Sequence, residues 1–291
     1  FEPRDGNRKM GQTPQLQSGE NHPRIVRYEE LRPCFDAFID TRTPGSDKKE
    51  NFTIIGPGVS ENPNQYVHIA EPHGFNIGGA RQPVNCVNSQ HSHNTVEVFY
   101  VHKGRWSFNL GETGDDARIT LNPGDLISIP TNVFRGFQNI GDDIGYLWAV
   151  LGGDDPDKVL WAPDGFEMAK DYGLVLLENG SLVDTGNGET VPDHVKVMPV
   201  TSAGQISKLD IYTAEQLRNC CVTADEITGV KISQGVTARQ LVGRDAKLSW
   251  EHGFEIFHHA IEPGHAMMAE ALDVPDVVFV HEGELVISVN D

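Results

Sequence analysis

The chain has 291 residues and a formal net charge of −19. That length leaves room for two domains with separate cores, and so acidic a chain argues against nucleic acid and anionic membrane as partners, because both need a basic face. No stretch reaches the ~18 apolar residues of a membrane span, and Cys34, Cys86, Cys220 and Cys221 show no Cys-x-x-Cys spacing, which predicts a reduced, cytoplasmic protein.

In chain order, residues 1–24 are polar, with Pro3, Pro14 and Pro23, and predict an arm without regular structure. Residues 25–38 predict a short strand and then a helical turn limited by Pro33, and residues 41–50 a charged loop. Phe52–Ile55 and Tyr66–Ile69 predict strands, and His73-Gly74-Phe75 opens the strand leading to a denser region. There, His91-Ser-His93-Asn-Thr-Val-Glu97 sets two imidazoles and a carboxylate at i, i+2 and i+6. In one extended strand all three would share a face, and such a donor set suits a divalent transition metal. Val98-Phe-Tyr-Val101 continues as a strand, and Lys103-Gly104 predicts a tight turn.

Strands follow at Trp106–Leu110, Arg118–Leu121, Leu126–Ile129, Val133–Asn139 and Tyr146–Leu151, with turn chemistry at Pro123-Gly124-Asp125. Many short strands parted by turns predict an all-β sandwich or barrel. Phe99, Val101, Trp106 and Phe108 are expected to line or back its pocket. Gly152–Pro156 marks a boundary, after which residues 157–208 carry a weak helix (Phe166–Tyr172) and a short strand (Leu174–Leu177).

The chain then begins again. Tyr28…Leu31-Arg32-Pro-Cys34 returns as Tyr212…Leu217-Arg218-Asn-Cys220. His73-Gly74-Phe75-Asn-Ile77 returns as His252-Gly253-Phe254-Glu-Ile256, and Val101-His102-x-Gly104 as Val280-His281-x-Gly283, both at an offset of 179. An ordered series in register indicates internal duplication. In that register His91, His93 and Glu97 correspond to Glu270, Leu272 and Asp276; leucine cannot ligate, so the second copy has lost the site. The paired His73/His252 and His102/His281 are expected to be structural. His258, His259 and His265 alternate faces, so at most part of that set can converge.

The His91-x-His93-x(3)-Glu97 stretch and the stretch from Pro123-Gly124-Asp125 through Pro130 and Arg135 to Asn139 resemble the two signature motifs of the cupin superfamily, over roughly residues 73–151. The resemblance implies an all-β fold of two cupin jelly-roll β-barrels (double-stranded β-helices) with short helices. Its parts would be an arm at 1–24, barrel one at 25–151, a structured linker at 152–208, and a degenerate, incomplete barrel at 209–291. It implies one divalent metal (iron, manganese, nickel, copper or zinc) on His91, His93 and Glu97. The chemistry implied is that of a dioxygenase acting on an aromatic or small organic acid. A cupin isomerase or lyase with a non-redox metal and a metal-free small-molecule binder are the alternatives. A homodimer is expected from the open sheet edges of such barrels. The family's fourth ligand, a histidine, falls on Arg135, which cannot ligate. Three readings of Arg135 stay open. It is a catalytic anchor for an anionic substrate, or it pairs with Glu97 in a metal-free pocket, or it points outward at a bulge.

Overall fold

A computed structural model of the chain describes residues 23–268 and 273–288. Nearly all of the expected N-terminal arm, and Glu270 and Leu272 of the second copy, lie outside the described residues.

Turn-forming residues cut the chain into short strands. In order these are β1 (Glu50–Ile55), β2 (Val67–Ile69), β3 (Phe75–Gln82), β4 (Val87–Ser92), β5 (Glu97–Lys103), β6 (Trp106–Leu110), β7 (Ala117–Leu121), β8 (Leu126–Ile129), β9 (Arg135–Asn139), β10 (Gly145–Gly152) and β11 (Leu160–Trp161). Helix α1 (Pro163–Asp171) follows, then β12 (Leu174–Leu176), β13 (Leu182–Asp184), α2 (Ala203–Ile206), α3 (Ala214–Asn219), β14 (Cys221–Val222), β15 (Val230–Ser233), β16 (Val236–Val242) and β17 (Ile256–Ile261). Pro163 starts α1 at the position where its missing N–H is not needed, and Thr213 with Gln216 forms a capping box on α3.

Two sheets hold the core, in the orders β14-β8-β5-β10-β3-β1-β2 and β11-β4-β9-β6-β7. Alternation along β5 decides what each sheet covers. Phe99 and Val101 face inward and pack with Trp106, Phe108, Leu110 and Phe137 of the other sheet, whereas Val98 and Tyr100 face the opposite way. Each fully buried side chain of this kind contributes about 1.5–3 kcal/mol relative to exposure. The result is the all-β, face-to-face arrangement of a jelly roll.

The structure departs from the expectations in four places. Residues 25–38 carry only a 3₁₀ turn at Tyr28–Glu30, because Pro33 blocks a helix and Cys34 is drawn into backbone bonds with Asn51. The charged stretch at 41–50 is the expected loop of turns, but one of its charges is not at the surface: Lys49 and Asp40 are 1% and 0% exposed and pair with each other. Residues 152–208 do more than link, since β11 adds to the edge of β4. Beyond residue 208 the described residues form no closed barrel but a three-stranded antiparallel sheet, β15-β16-β17. β14 pairs instead with β8 of the first sheet.

Leu241, Val242, Leu248, Phe254 and Phe279 cover the outer side of that first sheet, over Val98, Tyr100 and Trp148. Residues that the sequence pattern pairs meet there: Phe75 lies 6.2 Å from Phe254, and His102 Nδ1 lies 3.0 Å from His281 Nδ1. No helix among the described residues is long and apolar enough to cross a membrane.

Candidate metal centre

The three candidate ligands converge, though not along one strand. His91 belongs to β4 and Glu97 starts β5, in different sheets, and His93 begins the turn that joins them. Asn94-Thr95-Val96 break the extended run, and the chain folds back so that the three side chains meet between the sheets. One donor atom from each lies within 4.8 Å of the others, and all three residues are buried.

His91 is fixed by its own backbone. Its Nδ1–H donates to the Ser89 carbonyl at 2.7 Å, which leaves the Nε2 lone pair free. Burial, together with the nearby Arg135 guanidinium, holds its pKa well below the usual histidine value, so the ring is neutral. The His93 ring stands edge-on to His91 at 5.1 Å, with Nε2 3.7 Å from Glu97 Oε2 and Nδ1 without a partner.

Arg135 makes the internal pair. On β9 it shares the inward face with Phe137 and Asn139, it is 1% exposed, and its Nη2 donates to Glu97 Oε2 at 2.9 Å. Its Nε and Nη1 are buried without partners. Burial pushes the Glu97 carboxyl up and the Arg135 guanidinium down, because each charge loses its water. Their 2.9 Å contact works against both shifts and keeps them an ion pair.

Two sets of buried ionisable side chains support His91, and the sequence did not reveal either. Asp40 pairs with Lys49 through Oδ1 and accepts from the Ser89 N–H through Oδ2, at 3.0 Å, so it steadies the peptide that orients His91. Glu61 accepts from the Ile39 N–H at 2.7 Å and from Trp161 Nε1–H at 2.6 Å, and the Trp161 ring rests 5.2 Å from His91. No motif marks these residues. The only hint is the Trp in a segment that reads as a linker.

The three ligands open onto a cavity of about 80 Å³, walled by Phe38, Phe52, Phe99, Phe137 and Trp161 with Ala149. Phe99 lines it as expected, while Val101, Trp106 and Phe108 pack into the core behind. Neither Arg135 nor any other arginine or lysine is among its lining residues.

The donor set fits a metal. The neutral His91 ring, the His93 ring and a carboxylate oxygen face one another, and bonds of about 2.1 Å need ligand atoms no more than about 4.2 Å apart, a small rotation from the arrangement seen. Arg135 donates to Glu97 Oε2, the same oxygen that stands 3.7 Å from His93 Nε2, so a metal bound through that atom would share it with the guanidinium. Elsewhere, His252 bridges Ser128 and the Trp250 carbonyl, and among the described residues His258, His259 and His265 do not join a metal-binding group. All four cysteines are unbridged.

Residues 80–150, from within β3 into β10, match the family model described as Cupin domain. No curated protein matches the chain. Similar solved structures include an oxalate oxidase in complex with the substrate analogue glycolate (18% identity, 31% of this chain and 47% of that one, TM-score 0.28). Another is the DMSP lyase DddQ from Ruegeria pomeroyi DSS-3 (16%, 47% and 59%, TM-score 0.32). A third is the polyketide cyclase RemF from Streptomyces resistomycificus (17%, 49% and 89%, TM-score 0.36). The matches span about half the length of the first two of these structures.

Proposed function

We propose, from the premise that residues 80–150 are a cupin domain, that the chain is a metal-dependent enzyme acting on a small organic molecule, with one metal held by His91, His93 and Glu97. The observation that carries this is the convergence of two buried imidazoles, at least one of them neutral with its lone pair turned inward, on one carboxylate.

Two histidines and one carboxylate with open positions are the ligand set of non-haem iron oxygenases, which supports the dioxygenase reading. A bound metal of this kind supplies Lewis acidity and, if redox-active, access to oxygen chemistry. The chain supplies the rest. Ser89 fixes the His91 tautomer, Arg135 positions Glu97, and the aromatic wall keeps bulk water from the reacting end. Arg135 thus serves as a positioning residue, in place of the direct substrate anchor. With zinc or manganese and no redox work, the same residues would suit an isomerase or lyase. The expected cytoplasmic homodimer remains part of this proposal.

One observation favours a second reading. The Arg135–Glu97 bond already neutralises the carboxylate, as a metal-free small-molecule binder would require.

Elemental analysis of protein purified without added metal, beside His91→Ala and Glu97→Ala, separates the two. About one transition metal per chain, lost in both variants, is expected. No metal at any stage, including after soaking with each candidate ion, overturns the enzyme reading and leaves the binder.

A further inference from the structure

The cavity beside the three ligands carries information about what enters it, and the inference below rests on the proposed function. We infer that the site takes a short aliphatic molecule of roughly three to six heavy atoms, with one oxygen-bearing polar end at His91, His93 and Glu97 and an uncharged remainder, rather than an aromatic acid or a dicarboxylate.

Size comes first. The cavity holds about 80 Å³, whereas a buried cavity that accepts benzene measures about 150 Å³. Its walls are not positioned to yield. Phe99 and Phe137 are both at most 3% exposed and lie 5.1 Å apart on strands of opposite sheets. Phe52 is 3% exposed on β1, and Trp161 is tied to Glu61. Interiors packed in this way change little in volume. Phe38 is the exception, a half-buried ring on a segment outside the sheets.

Charge comes second. No arginine or lysine lines the cavity, and Arg135 is held against Glu97. Away from the ligand cluster a second carboxylate would meet mostly rings and aliphatic side chains, with Asn51, Thr53, Ser60, Gln65 and Asn88 as uncharged polar groups. An anion buried against such a wall loses its hydration without a counter-charge.

The test holds the metal-binding end constant and varies the rest. Lactate, mandelate and malate share a 2-hydroxycarboxylate; they differ in bearing a methyl, a phenyl or a second carboxylate arm. Each is titrated calorimetrically into metal-loaded protein, with metal content measured on the same sample. Lactate is expected to bind at least about tenfold more tightly than mandelate or malate. Phe38→Ala is expected to raise mandelate affinity about tenfold without tightening lactate, a gain that misfolding would not produce. Mandelate or malate binding as tightly as lactate, or no binding by any of the three, overturns the inference. The proposed function fails separately: protein that takes up no metal yet keeps the lactate preference loses the enzyme reading and retains this one.

Discussion

Val101-His102-Lys103-Gly104 and Val280-His281-Glu282-Gly283 share one sequence pattern and sit in different surroundings. Their glycines adopt the same left-handed backbone, φ 89° and 81°, which a side chain would strain. Yet Val101 is 0% exposed in β5, between β8 and β10, whereas Val280 is 44% exposed in a segment assigned to no strand. Local sequence sets the turn, and neighbours decide whether the residues before it become a strand. The first copy has partners on both edges and a second sheet over its inner face. The second lies against the outer face of the first, with the Phe279 ring stacked on Trp148 at 4.9 Å.

The same contrast holds for charge, and the largest expected effect tests it. Lys49 and Asp40 form a pair with fully buried side chains under the site, whereas Lys247 and Glu226 pair at the surface with side chains 38% and 44% exposed. Lys49→Met leaves Asp40 as an uncompensated buried charge and should cost about 3–5 kcal/mol. Lys247→Met should cost no more than about 1 kcal/mol. Urea unfolding of the two variants measures both. Equal losses would remove the distinction between the halves. Asp40→Leu with Lys49→Met should recover much of the loss, since neither charge is then stranded.

Carboxylates give the comparison a sign. Burial pushes the Glu61 carboxyl up from 4.5 to about 8, against the N–H donors of Trp161 and Ile39. The folded chain keeps a proton there that the unfolded chain has lost, so stability should fall as pH rises from about 4.5 to 8, by up to about 1.4 kcal/mol per pH unit. Glu226 behaves oppositely. The Thr223 backbone N–H and Lys247 hold its carboxyl down, so its contribution is present above its unfolded pKa and is lost on acidification. Melting curves between pH 5 and 8 for Glu61→Gln should lose the wild-type decline, and an unchanged decline would refute the assignment.

Phe279→Ala should cost about 1–2 kcal/mol, because the ring is only partly buried and its loss forfeits one stacked contact as well as area. The change should raise hydrogen exchange across 273–288 and leave β5 protected. Faster exchange in β5 itself would mean that the second copy holds the first together rather than resting on it.

What the sequence disclosed follows from how far apart the relevant residues lie. His91, His93 and Glu97 sit within seven positions, and turn residues punctuate nearly every strand, so the all-β fold and the ligand cluster were legible. The single strand expected to carry the cluster was not what forms, because the period-two pattern across Asn94–Val96 is equally consistent with a turn. Trp161 and Glu61 are 100 residues apart, and Asp40 and Ser89 49 apart. Composition places a run of charges at the surface by default, so burial of Lys49 had no local sign. Arg135 stood out as a departure from a motif, but its pairing with Glu97 depended on tertiary packing that left three orientations open.

The smallest effect concerns the contact between the two similar His-containing stretches. His102 and His281 approach through their Nδ1 atoms at 3.0 Å, a contact that requires at least one of the rings to be neutral. Burial pushes both below the usual histidine value; His281 and Lys103 push His102 further down, and Glu282 opposes the shift at both rings. With folded values below the unfolded one, the pair contributes stability that is present above about pH 6.5 and is lost as pH falls. Both rings are partly exposed, the His281 side chain at 22%, so solvent screening should hold the loss to a few tenths of a kcal/mol. Too small to read from global unfolding, it should show as a change in Trp148 fluorescence as Phe279 lifts away. His102→Asn should remove that acid transition and leave the first sheet intact. Persistence of the transition in this variant would place the pH response elsewhere and leave the repeat contact a matter of packing alone.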